Sequence, residues 1–391
     1  MGEFDLNISL NTPGLADGNY RVECPEGEFI CLYWANEEGA LANYTSFAVI
    51  PLQADGSGTC SLRGGRSIPP EATHVCAVVC RADYEELTVQ MVEIPALYLP
   101  KENAGEISEE DKPSAKIVLM SDIHMRNKPG RFRHALSLIK DADWVLFPGD
   151  LANDSREDQY EFLKTCITEM IPDIPIFSVS GNHDTGKGDS LCYRNFEAWL
   201  RQRQGDRFEF EDSDTGAFAV SLNQELDLIG LNPNYIQKNF FFPEKGEQLK
   251  WMKNYLEHSS HKRHIIMCHA PLLAHNPQRD GSKKAPYIAQ DSILQNQVEE
   301  IGNVVFLSGH THVSPIVPCG CVEYDKNVRN LYINDGSVCP SDLKTDEPVI
   351  GKDWSGGCFT ELNLFSNRVE VVMRQAHTGM RIARGYYRIL L

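Results

Sequence analysis

The chain has 391 residues, enough for about two domains and for a large buried core. It carries 55 acidic and 37 basic side chains, a formal net charge of −18, which argues against a nucleic acid as the main partner because phosphate backbones are bound by Lys and Arg. An anionic substrate is compatible with this charge when bound divalent cations reverse the local field.

The sequence has no apolar stretch long enough to span a bilayer. Residues 1–20 lack the basic start and the apolar segment of a signal peptide. The twelve cysteines have no recurring spacing, and several lie inside apolar runs, which favours buried, reduced thiols. We therefore expect a cytoplasmic protein without a membrane span, and the sequence leaves its oligomeric state open.

Residues 1–100 consist of short apolar runs separated by turn residues. The runs occupy residues 20–24, 29–34, 46–50, 74–80 and 87–92. This spacing, without a convincing helical pattern, predicts a small all-β sandwich, Ig-like or fibronectin-like. The segment 101–115 is polar and contains Gly and Pro, so it is predicted to be a linker to a second domain at 116–391. Every candidate site residue follows this linker, so a fragment beginning near Ser114 is expected to keep the site.

From residue 116 onward, short apolar runs alternate with helical patterns, as in α/β proteins. Five of these runs are followed by Asp, His or Asn, usually beside Gly. They are 116–120 before Asp122 and His124, 144–147 before Asp150, 175–179 before Asn182, His183 and Asp184, 264–267 before His269, and 304–307 before His310 and His312. Ligands of open α/β sheets bind beyond the carboxyl ends of the strands, so these side chains are expected to form one site. Its oxygen and imidazole donors predict a metal site.

The ordered set of motifs closely resembles the calcineurin-like metallophosphoesterase superfamily. The motifs are Asp122-x-His124, Gly149-Asp150, Gly181-Asn182-His183-Asp184, His269 and Gly309-His310-x-His312. The resemblance covers roughly residues 116–375 and implies a four-layer α/β/β/α sandwich. It also implies hydrolysis of a phosphomonoester or phosphodiester by attack of a metal-bridging hydroxide.

The resemblance further implies two divalent metal ions that share one carboxylate. The implied ligands are the shared Asp150, then Asp122, His124 and His312 at the first ion, and Asn182, His269 and His310 at the second. Such a mixture of imidazole, carboxylate and amide ligands suits Mn²⁺, Fe²⁺ or Fe³⁺, or Zn²⁺ better than Ca²⁺.

His183 is implied to protonate the leaving oxygen or to stabilise charge on the phosphoryl group. Many relatives place an Asp that orients this His three residues after the shared Asp, and this chain has Asn153 there. Since Asn supplies no negative charge, His183 is expected to be less basic than in those relatives. Asp184 is expected to support a ligand or His183 rather than to bind metal itself.

Two further residues are candidates for substrate binding. Arg126 follows the first motif closely and could contact a substrate phosphate. His275 follows His269 in a loop expected to border the site. The sequence does not identify the natural substrate, and two alternatives stay open. One is a non-catalytic or weakly catalytic binding protein that uses the N-terminal sandwich, and the other is a metal-dependent nuclease, which the acidic composition disfavours.

Overall fold

A computed structural model describes fifteen stretches of the chain, which together include every predicted site residue. They are residues 4–11, 14–41, 46–62, 68–69, 71–83, 85–96, 112–185, 190–204, 207–211, 215–236, 239–242, 247–277, 291–313, 321–338 and 357–390. Of the predicted linker, residues 101–111 lie outside these stretches.

The N-terminal part folds into two antiparallel sheets, with strands numbered here in chain order. A three-stranded sheet has the order β1-β2-β6 and contains β1 (Asp5–Leu10), β2 (Gly18–Glu23) and β6 (Ser57–Leu62). A second sheet contains β3 (Phe29–Asn36), β4 (Gly39–Ala40), β5 (Ala48–Pro51), β7 (His74–Cys80) and β8 (Glu86–Glu93). A buried apolar cluster includes residues of both sheets, and within it Trp34 stacks on Phe47 with 3.9 Å between ring centroids. The prediction that the N-terminal part is an all-β sandwich is thus confirmed.

The other face of β3 and β7 belongs to a different apolar cluster. Phe29, Cys31, Cys76, Val78 and Cys80 are buried in a cluster that also contains residues of both sheets of the C-terminal part. Because strands alternate their side chains between two faces, one face of this sheet packs in its own sandwich and the other faces the C-terminal part. The N-terminal part therefore shares an apolar core with the rest of the chain.

Two mixed sheets form the centre of the C-terminal part. The first has the order β11-β10-β9-β21-β22-β23 and contains β9 (Ala115–Leu119), β10 (Trp144–Phe147), β11 (Ile176–Ser178), β21 (Cys358–Leu364), β22 (Arg368–Gln375) and β23 (Arg381–Leu390). The second has the order β12-β13-β14-β17-β18-β20-β19 and contains β12 (Phe208–Glu211), β13 (Phe218–Asn223), β14 (Leu226–Leu231), β17 (Arg263–Cys268), β18 (Val304–Ser308), β19 (Val322–Asp325) and β20 (Asn330–Asn334). A short hairpin of β15 (Asn234–Ile236) and β16 (Asn239–Phe241) follows β14.

Helices cover the outer face of each sheet. They are α1 (Gly130–Ser137), α2 (Glu157–Met170), α3 (Asn182–Thr185), α4 (Ser190–Gln204), α5 (Glu247–His258) and α6 (Asp291–Ile301), with a 3₁₀ turn at Leu273–His275. None of the described helices is long and apolar enough to cross a membrane.

The alternation of side chains along the strands creates four layers. Ile117 and Ile265 belong to the cluster between the two sheets, whereas Val118 packs with α1 and α2, and Ile266 packs with α5 and α6. The order is therefore helices, sheet, sheet, helices, as the α/β/β/α prediction requires. Strands β9, β10 and β11 run parallel in the first sheet, and β14, β17, β18 and β20 run parallel in the second. The carboxyl ends of both parallel groups carry the predicted site residues.

Candidate metal centre

The six Asp and His residues among the predicted ligands come together at the carboxyl ends of β9, β10, β17 and β18. Their possible ligand atoms form two groups, each with all atoms within 4.8 Å of one another: Asp122, His124, Asp150 and His312 in the first cluster, and Asp150, His269 and His310 in the second cluster. Asp150 belongs to both clusters. The seventh predicted ligand, Asn182, begins α3 directly after β11 and is buried.

The carboxylate of Asp150 lies between the two clusters. Its Oδ2 is 3.4 Å from His269 Nε2 and 3.7 Å from His124 Nε2. Its Oδ1 accepts a hydrogen bond of 2.7 Å from the backbone N–H of His183, which fixes the orientation of the carboxylate. One oxygen is thus held by the main chain, and the other faces nitrogen donors from both sheets.

The first cluster brings three side chains from two loops into contact, those after β9 and β18. Asp122 Oδ1 lies 2.8 Å from His312 Nε2, and the Nε2 atoms of His312 and His124 are 3.0 Å apart. Two imidazole nitrogens at this distance repel each other through their lone pairs unless a proton or a metal ion lies between them. Together with Asp150, these atoms form the donor set that a divalent cation requires.

Two of the predicted ligands of the second ion have buried polar atoms without hydrogen-bond partners. His269 Nδ1 donates to the carbonyl of Pro148 at 2.7 Å, an arrangement that directs Nε2 toward Asp150. Among the described residues, His269 Nε2 and Asn182 Oδ1 are buried and have no hydrogen-bond partner. A buried polar atom without a partner costs about 1–3 kcal/mol, so these atoms fit a metal ion that would satisfy both.

The charges at the site favour a cation. Burial raises the pKa of Asp122, but His312 and His269 together lower it to about 2, and Asp150 is likewise held well below its usual pKa despite burial, chiefly by His269. Burial lowers the pKa of His269, but Asp150 raises it to about 9, so this imidazole holds a proton in the place where a metal ion would compete for it. Burial lowers the pKa of His124 to about 4. Both carboxylates are therefore ionised at neutral pH, and His124 is neutral and able to bind a metal.

The predicted ligands sit on an unusual backbone. Positive φ angles occur at Asp122, His124, Asp150, His310 and His312, with values between 45° and 68°. Each such residue costs of order 1–3 kcal/mol, although Asp and His tolerate this region better than most residues. Five strained residues in one place indicate a geometry kept for function rather than for stability.

Two glycines permit the close approach of the loops. Gly149 has φ of 90°, and a Cβ there would lie 2.5 Å from His269 Nδ1. At Gly309 a Cβ would lie 2.4 Å from Ser121 Oγ and 2.5 Å from Asp122 Oδ2. Any larger residue at either position would push a predicted ligand or its neighbour aside.

His183 lies beside the first cluster. Its ring is perpendicular to that of His124, with 4.5 Å between centroids. Its Nδ1 donates a hydrogen bond of 2.7 Å to the backbone carbonyl of Asn153, so the main chain rather than the Asn side chain holds this imidazole. The Asn153 side chain instead accepts from Arg126 Nη2 at 3.1 Å and donates to Asp154 at 2.8 Å.

Asp184 is fully buried beneath the site. Its carboxylate accepts hydrogen bonds from the backbone N–H groups of Leu151, Ala152 and Gly181 at 3.2, 3.1 and 2.9 Å, and from the Tyr160 hydroxyl at 2.8 Å. These contacts tie together the loops after β10 and β11. The described hydrogen bonds of its carboxylate go to these loops and to α2, as expected of a residue that supports the ligands.

The two candidate substrate residues have different surroundings. Arg126 is exposed, and its contact with Asn153 places its guanidinium beside the residue that holds His183. His275 forms a hydrogen bond of 2.8 Å with Glu323 and stacks on Tyr332 at 3.5 Å. The described contacts of His275 include none of the predicted ligands, so they do not place His275 beside either cluster.

Sequence reasoning missed two parts of the site. Phe240 on β16 packs against the rings of His310 and His269, and no motif marks it. Asp335 contacts Ser121 behind Asp122. Asp335 directly follows β20, so the rule that polar residues at strand ends form the site would have identified it.

Comparison with solved structures shows similarity in fold. The chain is similar to a dimetal phosphatase from Danio rerio, with a TM-score of 0.50, 15% identity, and coverage of 71% of this chain and 99% of that one. It is also similar to Yfce, a phosphoesterase from E. coli, with a TM-score of 0.31, 17% identity, and coverage of 68% and 96%. At 15% identity, the likeness to the Danio rerio phosphatase concerns the fold alone.

The sequence itself gives a second comparison. No curated protein sequence matches the chain. A family model described as calcineurin-like phosphoesterase matches residues 115–314, slightly more than half of the 391 residues. This match spans all seven predicted ligands and both parallel strand groups up to β18. The chain therefore belongs to the calcineurin-like phosphoesterase family.

Proposed function

We propose that the chain is a hydrolase of phosphate esters that depends on two divalent metal ions. The observation that supports this most directly is Asp150 Oδ2, which lies within 3.7 Å of a histidine nitrogen from each cluster. In this proposal Asp150 is shared by both ions. Asp122, His124 and His312 complete the first site, and Asn182, His269 and His310 complete the second. The donor types fit Mn²⁺, Fe²⁺ or Fe³⁺, or Zn²⁺.

The protein supplies position and charge to this reaction. When bound, the metal pair supplies an activated water and Lewis-acid polarisation of the phosphoryl group. His183, held through Nδ1 by the Asn153 carbonyl at 2.7 Å, is placed to donate a proton to the leaving oxygen or to stabilise the phosphoryl charge. Asp184 fixes the loops that carry Asp150 and Asn182.

The proposed substrate is a phosphomonoester or a phosphodiester. Arg126 is the candidate for binding a phosphate oxygen that does not react, because its guanidinium is exposed and is held by Asn153 at 3.1 Å. Asn153 contacts Arg126 through its side chain and His183 through its backbone carbonyl, so one residue supports both groups by different atoms. Under the same proposal the catalytic unit is residues 116–391, and residues 1–100 form a sandwich that is joined to it by 101–115 and packs on it through the shared apolar cluster.

The decisive experiment compares the full-length protein with Asp150→Asn. We expect about two ions per chain in the wild type after addition of Mn²⁺, as a two-metal site demands. We also expect turnover of p-nitrophenyl phosphate or of its bis ester that chelator abolishes. Asp150→Asn should lose both metal and turnover, whereas Asp158→Asn on the exposed surface of α2 should lose neither.

Three outcomes would contradict the proposal. Full turnover in chelator would exclude a metal-dependent reaction. An active Asp150→Asn variant would exclude the shared ligand. A wild type that binds two ions but hydrolyses no ester in a panel that includes cyclic nucleotides and sugar phosphates would favour the binding-protein alternative.

A further inference from the structure

The hydroxyl of Ser121 lies between two buried carboxyl groups. Ser121 Oγ is 2.5 Å from Asp122 Oδ2 and 2.6 Å from Asp335 Oδ1. The backbone N–H of Ser121 donates to Asp335 Oδ2 at 2.9 Å. Ser121, Asp122 and Asp335 are 1%, 0% and 2% exposed, so these contacts are shielded from bulk water.

The number of hydrogens determines the direction of this chain of hydrogen bonds. A serine hydroxyl has one hydrogen and can donate to only one of the two carboxyl oxygens. The carboxylate of Asp122 is an acceptor, since Oδ2 also accepts the backbone N–H of His310 at 2.9 Å and Oδ1 faces His312. Ser121 therefore donates to Asp122, and a hydrogen on Asp335 Oδ1 must complete the contact with Ser121 Oγ. Burial raises the pKa of Asp335 to about 8, in agreement with a carboxyl group that keeps its proton at neutral pH.

The backbone around Asp335 is firmly held. Its N–H donates to the carbonyl of Ser308 at 3.0 Å, and its own carbonyl accepts from Thr360 Oγ1 at 3.4 Å. Asp335 follows β20 of the seven-stranded sheet, and Ser121 follows β9 of the six-stranded sheet. The contact between them therefore joins the two sheets at the first cluster.

We propose that Asp335 is a positioning residue for metal binding, a neutral carboxylic acid that acts through Ser121. It fixes Ser121, Ser121 holds Oδ2 of Asp122, and Oδ1 of Asp122 is thereby kept facing the first cluster. A neutral acid achieves this without placing a second negative charge behind Asp122, where it would repel the ligand carboxylate. The inference rests on the proposed function in one respect, since it takes Asp122 as a metal ligand.

The test measures Mn²⁺ affinity by titration of the chelator-treated full-length protein against a fluorescent competitor. In Asp335→Asn, the amide oxygen can accept the Ser121 N–H, and the amide NH₂ can donate to Ser121 Oγ, so this variant reproduces the neutral acid. We expect Asp335→Asn to bind Mn²⁺ within about threefold of the wild type. We expect Asp335→Ala and Ser121→Ala to bind about 10–100-fold more weakly, the usual effect of losing a group that orients a ligand.

Each outcome decides the proposal. Equal losses in Asp335→Asn and Asp335→Ala would show that the charge of Asp335 matters and would overturn the neutral-acid assignment. Wild-type affinity in Ser121→Ala would overturn the positioning role, and this variant removes only a hydroxyl, so it decides the question if Asp335→Ala does not fold. A wild type that binds no Mn²⁺ would instead refute the proposed function.

Discussion

The rings of Phe240 and His310 lie nearly perpendicular, with 4.9 Å between their centroids and an angle of 84° between their planes. The same phenyl ring lies 5.7 Å from the ring of His269. Phe240 is only 1% exposed, and its apolar ring packs against both imidazoles. This packing shields the imidazoles from water and restricts their rotation. The β15–β16 hairpin thus supports the second cluster, although none of its described residues belongs to either cluster.

Replacement of Phe240 should weaken the second metal site selectively. In Phe240→Leu we expect about a tenfold or greater loss of affinity for the second ion, because the imidazoles of His269 and His310 gain freedom to rotate. The first ion should still bind tightly. Metal content after dialysis, together with Mn²⁺ titration, measures both steps. Phe241→Leu is the matched control, since the next residue along a strand points to the opposite face. Equal effects of the two substitutions would contradict a specific role for Phe240.

Replacement of His183 should lower kcat and leave the metal content unchanged. His183 lies beside His124 but outside both clusters, so His183→Ala removes a proton donor or charge stabiliser and no ligand. We expect a loss of about 10²–10⁴ in kcat. The loss should be smaller for p-nitrophenyl esters than for alkyl esters, which need protonation of the leaving group. His134→Ala on the surface of α1 is the control. Loss of metal in His183→Ala would show that this residue is a ligand.

The side chain of Asn153 should affect substrate binding more than catalysis. Its backbone carbonyl holds His183, and this contact survives in Asn153→Ala, whereas the side-chain contact with Arg126 at 3.1 Å is lost. We expect a higher KM with little change in kcat, and the same pattern in Arg126→Ala. Because both substitutions disrupt one contact, their effects should not add in the double variant. A fall in kcat as large as that of His183→Ala would contradict this division of roles.

The ligand positions could be predicted from the sequence because their signal is local. A buried strand needs only a short apolar run. The residue that follows the strand, such as Asp150 after β10, lies at its carboxyl end and does not depend on how the rest of the chain folds. Phe240 could not be predicted in this way. Its contact with His310 depends on how a hairpin folds back over a strand end about seventy residues away in sequence.

The C-terminal residues illustrate a second limit. The segment Arg381–Leu390 has weak periodicity and gave no prediction, yet it forms β23 at the edge of the six-stranded sheet. It is a strand because it pairs with β22, so tertiary pairing rather than intrinsic pattern determines its structure. The contact that holds His183 could not be predicted either, because its partner is the main-chain carbonyl of Asn153, and a main-chain carbonyl leaves no sequence signature.

Asp335 should make stability depend on pH in a defined direction. Its pKa is about 8 in the folded protein, and the ordinary value for Asp in an unfolded chain is about 3.9. The folded state therefore holds this proton more tightly, so the stabilisation is complete below about pH 4 and is lost as pH rises toward 8. Relative to Asp335→Asn, which cannot ionise, the wild type should lose up to about 1.4 kcal/mol of unfolding free energy per pH unit in that range.

Urea unfolding at pH 5, 7 and 9 in the presence of chelator measures this difference. As the pH rises, the free energy of unfolding of the wild type should decrease relative to that of Asp335→Asn. Parallel curves from pH 5 to pH 9 would contradict the prediction, because they would mean that Asp335 is already ionised in the folded protein at pH 5.

Removal of the N-terminal sandwich should destabilise the catalytic part. The polar linker alone suggests that a fragment beginning near Ser114 folds independently, but Phe29, Cys31 and Val78 belong to an apolar cluster that continues into both sheets of the C-terminal part. A fragment of residues 112–391 would expose the partner surface of this cluster to water, and exposed apolar patches of this kind promote association. We expect the fragment to bind a hydrophobic dye, to elute as aggregates and to unfold at lower temperature than the full chain.

The control is the full chain cleaved at a protease site inserted within residues 101–111, which should elute as one complex because the cluster holds its two pieces together. A monomeric fragment with the melting temperature of the intact protein would show that the shared core contributes little.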